Sequence, residues 1–179
     1  MGAADFHTGA VIKGTTEEIV TAVNIFKDYK KGNHPAYLMS CRISYDGEKG
    51  LGTRVDSMTD EEIAAFAVNH DHTVMLSASG PYGRFGFLRD VDLFQNLAEA
   101  VPHATISGGM DGFGTGGEQI ASYELKDGLM VCKYHAGEPD EWDEDEDEWD
   151  EDEWDEDCEE PAWDYEAVYD PIAKKFIQK

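Results

Sequence analysis

Apolar side chains in this chain switch between two spacings, and the switches outline its elements. Residues 8–14 (T-G-A-V-I-K-G) read as a short first strand. Ile19, Val23 and Phe26 then fall at i, i+4 and i+7, one face of a helix. Thr15-Thr16-Glu17-Glu18 opens that helix as a capping box: a Thr hydroxyl accepts the N3 amide and Glu18 reaches back. Lys27, Lys30 and Lys31 crowd its far end, where cations suit the helix dipole, and Gly32-Asn33-His34-Pro35 stops it. Residues 36–45 alternate around Tyr37, Met39, Cys41, Ile43 and Tyr45, the period of a strand. A second capping box, Thr59-Asp60-Glu61-Glu62, begins a short helix with Ile63, Phe66 and Ala67 on one side. Residues 73–79 read as a strand. Asp90 or Asp92 can cap a third helix with Leu93, Phe94, Leu97 and Val101 inward and Pro102 just beyond. From Ala104 to Tyr134 the pattern is β again, with 118–126 and 129–135 alternating around Asp127-Gly128, a favoured two-residue hairpin turn. Residues 165–169 and 175–177 flank Asp170-Pro171 as a last strand pair.

The order is βαβ, αβ, αββ, then an acidic stretch, then ββ. Helices interleaved with hairpins predict an α+β fold: an antiparallel or mixed sheet with helices on one face. A ferredoxin-like, split-βαβ core is the expected topology, carrying the acidic stretch as a low-complexity insertion. The expected organisation is a globular domain over 1–137, an acidic Trp-containing loop or linker over 138–164, and a strand pair over 165–179 that returns to the sheet.

Charge sharpens this picture more than anything else. The chain has 39 acidic and 14 basic residues, a formal charge of −25. Glu138–Glu160 holds 18 of the acids and no base; without it 21 acids face 14 bases, a net −7. A field this concentrated selects positively charged partners and repels nucleic acid and anionic membrane. It points to binding rather than catalysis.

Within the run Glu-Trp-Asp-Glu-Asp occurs at 141–145, 148–152 and 153–157. A self-repelling, solvating loop is one reading. A nucleic-acid mimic is another. Extended chain rises about 3.3 Å per residue, close to the ~3.4 Å spacing of phosphates along one DNA strand. Trp142, Trp149, Trp154 and Trp163 add flat faces of the kind a base offers to Arg or an aromatic ring. A solvating tail does not need tryptophan. The predicted partner-binding residues are therefore Trp142, Asp143, Glu144, Asp145, Trp149, Asp150, Glu151, Asp152, Trp154, Asp155, Glu156 and Asp157. Carboxylate metal binding is the third reading. An EF-hand loop needs a glycine for its sharp turn, and none lies between Glu138 and Glu160. The expected partner is a basic nucleic-acid-binding protein or nuclease, with no direct nucleic acid, no membrane and no cofactor; the sequence leaves oligomeric state open.

Other motifs carry less. Gly112, Gly114 and Gly117 match G-x-G-x-x-G, but an alternating stretch follows where a helix N-terminus is needed, so 108–117 reads as a flexible turn or bulged strand. Gly80-Pro81-Tyr82-Gly83-Arg84-Phe85-Gly86 reads as a turn, although Arg84 and Arg89 could touch an acidic ligand in a small-molecule enzyme. His70-Asp71-His72 offers metal-ligand side chains without a third ligand, and is expected at an exposed helix–strand junction. Ser77 and Ser79 lack a nucleophile-elbow context. Cys41, Cys132 and Cys158 are odd in number and far apart, which fits a reducing cytoplasm; the first two are expected as buried strand residues. No stretch approaches a membrane span, and the first residues lack a signal-peptide pattern.

The segments G-P-Y-G-R-F-G-F-L with D-V-D-L-F, and Y-D-P-I-A-K-K-F, resemble small uncharacterised ferredoxin-like proteins of bacterial mobile elements and phages. The resemblance covers residues 8–135 and 165–177 and brings no active site with it. The acidic character resembles DNA-mimic inhibitors such as anti-CRISPR proteins, which implies a phage-type inhibitor of a defence nuclease. The competing expectations are an interaction module with a solubilising acidic loop, and an enzyme with its site near Arg84 and Arg89.

Overall fold

Strand alternation and helical stripes meet on one side of a single broad sheet. The computed structural model describes residues 5–30, 40–81, 93–114, 117–136 and 163–179. In chain order these form β1 (Asp5–Lys13), α1 (Thr16–Lys30), β2 (Ser40–Ser44), β3 (Thr53–Arg54), a 3-10 turn (Val55–Ser57), α2 (Asp60–Asn69), β4 (Thr73–Pro81), α3 (Leu93–Ala100), β5 (Thr105–Gly114), β6 (Gly117–Lys126), β7 (Leu129–Ala136), β8 (Tyr165–Asp170) and β9 (Lys175–Gln178). The sheet runs β3-β2-β4-β1-β5-β6-β7-β8-β9. Every neighbouring pair is antiparallel. The protein is thus α+β, an open nine-stranded sheet with three helices among the described residues.

Helix α1 packs against both α2 and α3, so the helices form one layer. Into it point Ala10 and Ile12 of β1, Val74 and Leu76 of β4, Ile106 and Met110 of β5, and Tyr123 and Leu125 of β6, all buried. They meet Ile19, Val23 and Phe26 of α1, Ile63 and Ala67 of α2, and Leu93, Phe94 and Leu97 of α3. Phe94 lies flat on Tyr123 with ring centroids 4.1 Å apart. Burying such a ring stabilises by about 1.5–3 kcal/mol. The strand positions in between, including Val11, Met75, Ser77, Ser107 and Glu124, are exposed, so the other sheet face is uncovered in the described structure.

Both capping boxes form. Thr15 and Glu18 exchange backbone-to-side-chain hydrogen bonds of 2.7 and 3.2 Å, and Thr59 and Glu62 do the same at the start of α2. Asp127 and Gly128 take φ of 53° and 81°, the left-handed pair a two-residue hairpin turn requires. Three features depart from the sequence reading. Of the strand expected over 36–45, residues 36–39 lie outside the described residues, Ser40–Ser44 is strand, and Tyr45 leaves the sheet to stack on His70 at 4.0 Å. The two-residue β3 and its 3-10 turn are too short to leave a period. The Gly-rich stretch is not a bulge: Ile106–Gly114 pairs with Gly117–Leu125 in unbroken register. Gly108 is needed there because a side chain would place Cβ 2.4 Å from the Gly9 carbonyl oxygen.

Candidate functional site

Trp142, Asp143, Glu144, Asp145, Trp149, Asp150, Glu151, Asp152, Trp154, Asp155, Glu156 and Asp157 lie outside the described residues, as do Arg84, Arg89 and Cys158. The described chain on either side of the acidic run is fixed in the sheet. Strand β7 precedes the run, β8 follows it, and the two pair directly. The Asp164 amide donates to the Tyr134 carbonyl at 2.9 Å, one residue before β8 begins. Tyr134 and Tyr165 meet edge-on with ring centroids 6.4 Å apart. His135 Nδ1 stands 3.3 Å from Asp164 Oδ2, close enough for an ion pair when the ring is protonated but without hydrogen-bond geometry.

Sequence reasoning grouped Trp163 with the tryptophans of the run. The structure half-buries it at the root, its indole N–H shielded and with no acceptor among the described residues. The readable signal was position: Pro161-Ala162 separates Trp163 from the charges, and β8 starts two residues later.

The histidine motif divides. His70 stacks on Tyr45 and meets Phe66 at a tilt, beside a hollow of about 380 Å³ lined also by Asp46, Asn69, Asp71 and Thr73. His72 turns to a cavity of about 730 Å³ lined also by Lys13, Thr15, Glu18, Thr21, Val101 and His103. Its Nδ1 is 3.4 Å from Thr16 Oγ1, a long contact whose donor depends on the ring tautomer. Asp71 and His72 both have left-handed φ, 51° and 56°, held by bonds from the His72 amide to Ala67 O and from the Gly14 amide to His72 O. The motif does lie at the helix–strand junction between α2 and β4, with Asp71 exposed and both histidines partly buried, and no local pattern places Lys13 or His103 beside it. Glu18 is committed to its capping box, and Glu17 lines the same cavity. Among the described residues no group of three or more His, Cys, Asp or Glu could hold a metal ion.

Cys41 and Cys132 are buried on β2 and β7, and neither is in a disulfide. Burial pushes the Cys132 thiol up to about 11, against a lowering hydrogen bond with Tyr123, so it is no ready nucleophile. No helix among the described residues is long and apolar enough to cross a membrane. No protein family, curated protein or solved structure matches the chain.

Proposed function

We propose that this chain is an acidic binding protein that engages the basic nucleic-acid channel of another protein, in the manner of phage-encoded inhibitors of defence nucleases. One observation carries the reading: 18 of 39 acids, with three tryptophans embedded among them, fall in one 23-residue stretch. Strands β7 and β8 support it, since they pair on either side of that stretch and so present it from a framework. Carboxylates at strand-like spacing supply the charge of a nucleic-acid strand, and the indoles supply the faces of bases.

The scaffold in this reading is a ferredoxin-like core. Strands β2-β4-β1-β5 lie consecutively in the sheet, β1 and β2 point the same way with β4 between them, and α1 and α3 make the crossovers. This order supports the split-βαβ reading, with β3 added at one edge and β6–β9 at the other.

The test is capture from a bacterial lysate by the intact chain and by a variant with residues 138–160 replaced by a short Gly/Ser linker. The intact chain should retain a basic nucleic-acid-binding protein that heparin or duplex DNA displaces, and the variant should not. Equal capture by both would leave the run as a solubilising spacer.

A further inference from the structure

Strand β9 closes one side of the sheet, and among the described residues no strand pairs with its outer edge. The Lys179 amide donates to the Glu166 carbonyl at 3.1 Å. Antiparallel ladders alternate, so the bonded pairs are Glu166/Lys179, Val168/Ile177 and Asp170/Lys175. The N–H and C=O groups of Phe176 and Gln178 therefore face outward, open to an added strand. On the uncovered sheet face this edge presents Lys175, Ile177 and Lys179 at i, i+2 and i+4, all exposed, Ile177 by 44%. Lys179 also meets Glu166 at 2.7 Å, which leaves its other donors available.

The edge thus reads cation–apolar–cation. The acidic run carries the complement, acid–Trp–acid at the same spacing, three times: Asp140-Trp142-Glu144, Asp147-Trp149-Glu151 and Asp152-Trp154-Glu156. The pattern is symmetric, so it fits the edge in either strand direction. Opposite charges and apolar groups facing one another across a strand pair stabilise it.

We propose that β9 takes up the acidic run of a second copy of this chain as an added strand, with carboxylates over Lys175 and Lys179 and an indole over Ile177. Reciprocal exchange between two copies closes a two-fold dimer. The chain's −25 charge opposes the encounter, but a screening length of about 8 Å at physiological salt damps distant repulsion and leaves the edge contacts. Self-association of this kind does not require that the run also serve a foreign partner.

Sedimentation equilibrium of the full chain at about 150 mM salt is the direct test. The mass should rise with concentration toward twice the 19.9 kDa of the monomer. Gln178→Pro deletes only an outward donor, so the β8–β9 ladder should persist while the dimer dissociation constant rises at least about tenfold. Lys175→Glu with Lys179→Glu should weaken it as much, and excess peptide of residues 147–157 should dissociate the parent. A melt lowered by the proline makes the charge reversal the deciding variant. A monomer at every concentration, or a dimer indifferent to these changes, would overturn the proposal.

Discussion

A methyl group added at Gly108 would sit 2.4 Å from the Gly9 carbonyl oxygen, a backbone atom that cannot swing aside. At Gly9 the nearest atom to an added Cβ is the Leu76 carbonyl oxygen, 3.4 Å away. Alanine at either position restricts the unfolded chain and so favours folding by roughly 0.4–1 kcal/mol. Only at Gly108 does a steric cost of about 1–3 kcal/mol oppose that gain. Denaturant titration should therefore find Gly108→Ala destabilised and Gly9→Ala near parental stability. Two weak acids of the core contribute to the alkaline pH dependence of stability. Burial, then the hydrogen bond from its O–H to Glu99, then the Glu99 charge push the Tyr169 phenol up to about 12 from 10.0. Burial lifts the Cys132 thiol to about 11 from 9.0. Both groups stay neutral in the fold after the unfolded chain has begun to ionise. Their contribution is complete below pH 9.0 and is lost as pH rises through 11 and 12. Urea midpoints should fall across that window, and Tyr169→Phe should flatten the fall above pH 10.0.

Helix α2 has a removable brace at its first turn. The Glu62 amide donates to Thr59 Oγ1 at 3.3 Å and the Thr59 amide donates to Glu62 Oε2 at 2.8 Å. Thr59→Ala breaks one of these and leaves the helix-start amide to water, so unfolding free energy should drop by about 1 kcal/mol with the fold unchanged by circular dichroism. Elements governed by such local rules were legible in the sequence. The caps at Thr15 and Thr59, the stripe Ile19, Val23 and Phe26, and the Asp127-Gly128 turn each follow from residues within one or two turns of chain. What depended on distant contacts was not legible. Nothing near β4 in sequence says that it lies between β1 and β2. Gly108 and Gly109 read as part of a turn or bulged strand because glycine leaves no side-chain period, yet they lie in a regular strand where neighbouring backbones come close. The candidate site was legible as composition alone: the charges and tryptophans stand in plain view. Its root was not, because the approach of His135 to Asp164 arises only when β7 and β8 meet.

Charge is distributed over the whole molecule in two unequal parts, −7 on the rest of the chain and −18 in the acidic run. Because β7 and β8 pair directly, a short turn can join them. Replacing residues 138–160 by a Gly/Ser linker should leave a cooperative melt, with a midpoint at or above the parent's once the self-repulsion is gone. Loss of the folded state would place the run inside the core instead. Partner binding should fall steeply between about 50 and 200 mM salt, as many charge contacts are screened. Charge alone does not separate recognition from solvation, since exposed ion pairs are worth only about 0–1 kcal/mol each, whereas buried aromatic anchors contribute about 2 kcal/mol or more. The decisive measurement is the affinity for the captured partner after Trp142, Trp149 and Trp154 are changed together to Ser, which keeps the charge at −25 and the length at 179 residues. Binding should weaken at least about tenfold, roughly 1.4 kcal/mol, with the melt unchanged; parental affinity in the triple variant would contradict recognition by the tryptophan-bearing run.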